Sequence, residues 1–137
     1  MKQKLKEKTI EILKINNFRL TKQRIALVSN IFKLGNRHIN AESLHNEMID
    51  IGIKVSLATV YNTLHGLTKL GLLRHVKVNS NQNYFDTNII KHHHFYDESN
   101  NSLIDIPKNK INITDIPSPP KNKKISEVEV IISLRDK

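Results

Sequence analysis

Apolar residues recur every three or four positions through the first half of the chain, and this spacing predicts four helices. A residue with a side-chain oxygen precedes three of these helices and can cap the first turn. The predicted helices span residues 4–15, the stretch from Thr21 to Gly35, residues 41–51 behind Asn40, and the stretch from Ser56 to Gly71. A tight link joins the last two helices, which is typical of a helix-turn-helix.

The fourth predicted helix separates an apolar face from a polar one. The residues expected on its inner face are Leu57, Val60, Leu64 and Leu67. The opposite face carries Ala58, Asn62, His65 and Lys69, with Thr59 and Tyr61 near its edges. Amides, hydroxyls and small side chains can contact base edges and thymine methyls in a major groove. By itself this pattern also fits an ordinary surface helix.

After Gly71 the helical period ends, and residues 72–78 and 83–87 have the composition of strands around the polar turn Asn79–Gln82. A hairpin directly behind a reading helix is a wing. The order of two helices, a recognition helix and a wing is much more specific than any one helix. The sequence therefore predicts a DNA-binding winged helix-turn-helix domain over residues 1–88.

Residues 89–137 are predicted to form a second, smaller domain with a three-stranded sheet. Its strands are expected at residues 89–96, 102–106 and 125–135. Three prolines between residues 108 and 124 predict a loop or a broken helical turn there. So few helices would leave apolar sheet surface exposed, and a symmetric second copy is the simplest cover. The predicted fold class is α+β.

The charge balance points to a polyanionic partner. The chain has 22 Lys and Arg against 13 Asp and Glu, a net charge of +9. Such an excess favours nucleic acid or an anionic membrane surface, although solubility alone can also explain it. No apolar run approaches the length of a membrane span, and no secretory signal is recognisable. Cysteine is absent, which excludes disulfides, thiolate zinc sites and cysteine catalysis. A cytoplasmic location fits these features.

Several cations of the predicted DNA-binding domain could contact phosphates, which supply affinity but little sequence information. They are Arg19, Lys22, Arg24, Lys54, Lys69 and Lys77. Arg19 lies before a helix and could instead enter a narrow minor groove. Each of these side chains could equally be a solvated surface charge.

The triplet His92-His93-His94 is the densest set of ligand-type residues. On a strand, alternate residues face opposite sides, so His92 and His94 share a face and His93 points away. A metal site would therefore need further ligands, and His38, Asp86 and Asp105 are available. Imidazole and carboxylate together suit zinc, iron(II) or manganese(II). The alternative is a polar patch whose histidines are satisfied by hydrogen bonds.

Four stretches give the chain a resemblance to the ferric uptake regulator family over nearly its whole length. They are residues 18–24, residues 38–44, Ser56–Asn62 with residues 70–72, and His92–His94. Ala58-Thr59-Val60-Tyr61 ahead of a wing and a histidine triplet is the most specific of these. The resemblance implies a dimeric, metal-responsive transcription factor, with an N-terminal winged helix and a C-terminal α/β dimerisation domain.

The resemblance also implies roles for individual residues. Tyr61 and Asn62 would read bases, and Arg19 would reach the minor groove. Together with the other candidates, the predicted DNA-binding residues are Arg19, Lys22, Arg24, Ser56, Thr59, Tyr61 and Asn62. The implied ligands of a regulatory metal site are His38, Asp86, His94 and Asp105. Tyr96 and Phe95 stand where many members have a further His and a carboxylate, and the paired cysteines of a structural zinc site are missing.

At these positions the chain is similar to the iron response regulator branch of the family. The carrying residues are His92–Tyr96, Asp105–Pro107 and Leu134-Arg135. The branch implies sensing of haem, or of iron through haem supply. The candidate haem residues are His92, His93, His94 and Tyr96, since haem iron accepts His and, less commonly, Tyr.

The hypothesis from sequence is a dimeric repressor or activator of iron or haem metabolism that binds a double-stranded DNA operator and not a membrane. Iron, manganese or zinc would be its metal, with haem as a second effector. The first alternative is a manganese, ferrous-iron or peroxide sensor of the same family. A metallohydrolase would need a general base and an activated water, and no HExxH spacing or phosphate loop supports one. The protein is therefore not expected to be an enzyme. A purely structural DNA-bridging protein would bind without operator preference.

Overall fold

The computed structural model describes residues 2–79 and 82–137 and divides the chain into two compact units, Met1–Ile89 and Ile90–Lys137. The first unit carries all four α-helices of the described residues, and each unit contains a three-stranded sheet. The predicted α+β class is therefore confirmed. No helix in the described part of the chain is long and apolar enough to cross a membrane.

The helices lie close to their predicted positions because the capping residues act as expected. They are α1 (Lys2–Ile15), α2 (Lys22–Phe32), α3 (Ala41–Asp50) and α4 (Leu57–Lys69). Thr21, Asn40 and Ser56 each accept a hydrogen bond from the backbone N–H three residues later, which satisfies a donor of the first turn. Gly71 follows α4 with a φ of 76°, a left-handed conformation that glycine adopts without strain.

The core of the first unit lies where the four helices meet the sheet. Leu13 of α1, Leu27 of α2, Leu44 of α3 and Leu64 of α4 are all fully buried within it. Phe85 packs into the same core from the sheet. Each helix thus contributes one apolar face, as its spacing predicted. Leu57 is the exception, since 37% of its surface is exposed at the first turn of α4.

A short strand missed by the sequence analysis joins the hairpin to form the first sheet. The strands are β1 (His38–Ile39), β2 (Arg74–Asn79) and β3 (Gln82–Asp86), in the order β1-β3-β2 with antiparallel pairing throughout. Two residues are too few to show a periodic pattern, so β1 was not predictable from spacing. The first wing strand begins at Arg74 instead of Leu72. Ser80 and Asn81, the centre of the predicted turn, lie outside the described residues.

The second sheet is mixed. Its strands are β4 (His93–Asp97), β5 (Ser102–Ile106) and β6 (Ile131–Leu134), in the order β5-β4-β6. Strand β4 pairs antiparallel with β5 and parallel with β6. The first and last strands are shorter than predicted at residues 89–96 and 125–135.

The α/β character expected for the second domain is wrong. Residues 90–137, all of which the structure describes, contain no α-helix and only a 3-10 turn at Lys108–Lys110. Pro117, Pro119 and Pro120 lack the N–H that a helix needs, and their rings clash with the preceding turn. The exposed backbone of residues 112–130 accordingly has no regular secondary structure beyond a turn at residues 121–122.

Candidate DNA-binding and metal-binding sites

A basic cavity lies at the N-terminal ends of α2 and α4 in the first unit. It has a volume of about 340 Å³. The lining residues are Arg19, Thr21, Gln23, Arg24, Lys54, Val55, Ser56 and Thr59. Three are cations and none is acidic, while Thr21 and Ser56 are the N-caps of the two helices. Both helix N-termini add partial positive charge, so the cavity has the electrostatics of a phosphate site.

The structure brings together four of the seven predicted DNA-binding residues in this cavity, namely Arg19, Arg24, Ser56 and Thr59. Lys22 is exposed in the first turn of α2 and does not line it. Arg24 is held firmly, because its guanidinium lies 4.7 Å from the centre of the Phe18 ring and donates to the Arg19 carbonyl at 2.8 Å. Arg19 itself uses only its backbone in that contact.

Phe18 also anchors this segment against α4. The Phe18 ring occupies the space that a Cβ at Gly66 would need. The absence of a side chain at Gly66 therefore permits the close approach. Through this contact the segment that carries Arg19 and Arg24 is held against α4.

The polar face of α4 is exposed as predicted. Asn62 and His65 are exposed and Tyr61 is half-buried. The Ser56 hydroxyl caps the helix and donates to the Thr59 hydroxyl at 2.9 Å, so these two side chains act as a pair.

The sequence analysis missed the partner of Tyr61. Its hydroxyl donates to Glu42 Oε1 of α3 at 2.6 Å. This hydrogen bond, with burial and the negative charge of Glu42 adding to it, raises the pKa of the Tyr61 phenol. Glu42 thus holds the candidate base-reading side chain in one orientation.

In the first unit, two of the predicted metal ligands face each other across the sheet. The pairing of β1 with β3 sets His38 opposite Asp86, with 3.2 Å between His38 Nε2 and Asp86 Oδ2. The other Asp86 oxygen accepts from the Asn88 N–H at 2.9 Å. Only 1% of Asp86 is exposed. The backbone N–H of Asn88 therefore orients this carboxylate.

In the second unit, ligand-type atoms of His92, His94 and Asp105 lie within 4.8 Å of one another. His92 Nε2 is 2.9 Å and His94 Nε2 is 3.3 Å from the same Asp105 oxygen. The register that pairs His94 with Asp105 places them side by side on β4 and β5. His92, which was expected among the haem residues but not the metal ligands, lies in this cluster.

Both histidine rings face oxygen acceptors at both nitrogens. His92 Nδ1 is 2.5 Å from the Ile90 carbonyl oxygen. His94 Nδ1 is 3.1 Å from Glu129 Oε1. A neutral imidazole has only one N–H and cannot donate at both positions. The two Nε2 atoms and the Asp105 oxygen therefore require positive charge between them. A divalent cation fits these ligand atoms.

The remaining candidate haem residues are engaged elsewhere. His93 Nδ1 accepts from the Val130 N–H at 3.0 Å, on the other side of the strand from His94, as the alternation predicted. The Tyr96 hydroxyl donates to Asn101 Oδ1 at 2.9 Å. All four side chains are buried, and His94 is completely inaccessible.

Comparison with known proteins agrees with this fold. The model of the ferric uptake regulator family matches residues 15–133. The ferric uptake regulation protein of Synechococcus elongatus is 33% identical over 79 residues, which are 56% of this chain and 54% of that protein. The matched part thus spans about half the length of such curated relatives.

Solved structures extend the likeness to nearly the whole chain. The ferric uptake regulator of Pseudomonas aeruginosa with manganese has a TM-score of 0.65 at 18% identity, covering 91% of this chain and 95% of that one. The Helicobacter pylori ferric uptake regulator, described with three functional metal-binding sites, has a TM-score of 0.71 at 15% identity. It covers all of this chain and 92% of its own. At these identities the likeness establishes the fold.

The chain belongs to the ferric uptake regulator family. Members of this family are metal-responsive transcriptional regulators and not enzymes. The finer resemblance to the iron response regulator branch finds no support in these relatives, which are named for ferric uptake.

Proposed function

We propose that this protein is a cytoplasmic, dimeric, metal-responsive transcriptional regulator that binds a two-fold DNA operator. The observation that carries the proposal is the basic cavity at the ends of α2 and α4, in a chain of this family. Arg19, Lys22, Arg24, Ser56 and Thr59 contact the phosphate backbone or the minor groove. Tyr61 and Asn62 read base edges in the major groove.

The chemistry of the two groups of residues assigns one to the phosphates and the other to the bases. Three cations and two helix N-termini contact the phosphates, and their contribution to DNA affinity is strong and independent of base sequence. Base readout requires exposed hydrogen-bonding groups, and α4 presents Asn62 with the phenol of Tyr61 beside it. An anionic membrane surface is a weaker candidate, because the cavity is a concave site between helix ends and not an apolar face flanked by cations.

For the metal, we propose His38, Asp86, His94 and Asp105 as ligands of a divalent ion, and we add His92. Support comes from three close contacts between ligand-type atoms, namely His38 with Asp86 in the first unit, and His92 and His94 with Asp105 in the second. The oxygen acceptors around His92 and His94 add to it. A metal can shift the protein towards its DNA-binding arrangement only by binding that arrangement more tightly.

A second copy of the chain is proposed to cover one face of the second sheet. The strand registers align Ile104, Phe95 and Ile132 in one row across the three strands. Ile104 and Ile132 are 47% and 39% exposed, which is unusual for large apolar side chains on a sheet. A two-fold dimer would bury this row and suit a palindromic operator.

Operator binding measured in parallel with iron(II), manganese(II), zinc and haem tests the proposal. We expect binding to strengthen with at least one divalent metal, and His94→Ala to abolish that increase while circular dichroism stays unchanged. Lys137→Ala, which removes an exposed side chain of the second unit, serves as the control variant. Metal-independent binding, or binding without operator preference, would reject the proposal.

The same titration decides between the effectors. The buried histidine side chains favour an ion over a porphyrin, because a haem would have to open the sheet between β4 and β6. A haem effect on operator binding together with a Soret shift would favour the haem-responsive version. Metal-dependent oxidation of a histidine by peroxide, detected by mass spectrometry, would favour a peroxide sensor.

A further inference from the structure

We infer that Glu129 is a positioning residue for the metal site, setting the tautomer of His94 from the segment that leads into β6. The inference rests on the proposed metal site, to which Glu129 would be an addition. The only contact required is the one between His94 Nδ1 and Glu129 Oε1, at 3.1 Å.

The chemistry of the two groups decides which of them donates the hydrogen bond. Carboxylate oxygens only accept, and Glu129 Oε1 at 3.1 Å is nearer to its ring nitrogen than Asp105 Oδ1 at 3.3 Å, so His94 donates its Nδ1–H to Glu129. The Nε2 of a neutral ring then carries a lone pair, and it points towards Asp105 Oδ1 at 3.3 Å. Nε2 is thereby prepared as a metal ligand, and the carboxylate behind the ring increases its basicity.

His92 shows the same arrangement with a different acceptor. The backbone carbonyl of Ile90 faces its Nδ1, and its Nε2 faces the same Asp105 oxygen. Both Nε2 atoms thus converge on one point, and each ring has an oxygen behind it. One acceptor is fixed by the main chain, whereas the acceptor for His94 is a side chain and can be removed by mutation.

The backbone holds Glu129 at His94 through its neighbour. The N–H of Val130 donates to His93 Nδ1 at 3.0 Å, and the carbonyl of Val130 accepts from the His94 N–H at 3.1 Å. These two bonds fix the chain immediately before β6 against the histidine triplet. Occupation of the site should therefore strengthen the attachment of the last strand to the sheet.

Two measurements on the full chain test the inference. Long-range proton–nitrogen NMR of the metal-free protein should show His94 as the Nδ1–H tautomer, and Glu129→Ala should produce a tautomer mixture. Titration with cobalt(II), followed by its visible absorption, should give a 10- to 100-fold lower affinity for Glu129→Ala, about the range for such outer partners. Glu127→Ala, which removes an equal charge two residues away, should change neither result.

Glu129→Gln separates positioning from ligation. Its amide oxygen can still accept from Nδ1, so we expect the tautomer to be kept and most of the cobalt affinity with it. An equal loss in Glu129→Gln and Glu129→Ala would identify Glu129 as a ligand and overturn the inference. So would an unchanged tautomer and affinity in Glu129→Ala. If the wild type binds no cobalt, the metal site fails, while the NMR result still decides whether Glu129 orients His94.

Discussion

Arg19→Ala is the sharpest test of the phosphate contacts, because the wild-type side chain is exposed and its structural contact is made by the backbone. The Arg24 guanidinium donates to the Arg19 carbonyl, which alanine retains. The fold and the other cations of the cavity should therefore be unaffected. Only one positive charge near the N-termini of α2 and α4 is lost from each chain.

The size of the effect follows from counterion release. Each neutralised phosphate contributes about −0.9 to the slope of log affinity against log salt concentration. A dimer loses two such contacts, so the slope should become less negative by about 1.8. Between 50 and 200 mM salt, a fourfold change, the variant should lose roughly 12-fold less affinity than the wild type.

Operator binding measured by fluorescence anisotropy at several salt concentrations gives this slope directly. Lys33→Ala is the matched control, since Lys33 follows the other end of α2, roughly 16 Å away at 1.5 Å per residue. Equal slopes for Arg19→Ala and the wild type would refute the phosphate assignment. Arg19→Lys keeps the charge, so a retained slope with reduced operator preference would instead place this side chain in the minor groove.

Three further predictions concern single side chains. Glu42→Ala removes both the acceptor and the charge, so it should lower the pKa of Tyr61 towards 10.0, as measured by ultraviolet difference titration. In the wild type the contribution of this contact to stability is present below pH 10 and is lost as pH rises through the raised pKa. The pKa of Asp97 lies below 3.8, chiefly because the Asn100 side chain donates a hydrogen bond to it. Asn100→Ala should therefore raise this pKa in an NMR titration. In the wild type the contribution of the hydrogen bond to stability is present above pH 3.8 and is lost as pH falls through the lowered pKa. Leu64→Ala should destabilise the fully buried core by about 2–5 kcal/mol in urea unfolding, and a cost below 1 kcal/mol would contradict the packing described here.

Local chemistry in the sequence was sufficient to predict most of the first unit. Thr21, Asn40 and Ser56 marked helix starts because a side-chain oxygen at that position satisfies a first-turn N–H, whatever the surroundings. Helical spacing identified Val60, Leu64 and Leu67 as core. Leu57 has the same spacing but lies in the first turn, where the helix extends past the packed surface. Periodicity cannot detect such an end effect.

The sequence also determined which chemistry was available, but not how it is combined. Alternation on a strand correctly separated His93 from His92 and His94. The haem grouping followed from the resemblance to the iron response regulator branch, whereas the structure groups His92 and His94 with Asp105 of the neighbouring strand. Strand register decides this, and register depends on pairing between distant segments.

The contacts of Glu42 with Tyr61 and of Glu129 with His94 were determined only by the tertiary structure. They join residues 19 and 35 positions apart, and nothing in the local sequence of either glutamate distinguishes it from a solvated charge. The same holds for β1, whose two residues become a strand only because β3 lies beside them. Caps and spacing are short-range effects and can be recognised in sequence, whereas the partner of a polar side chain is chosen by the packing of the whole unit.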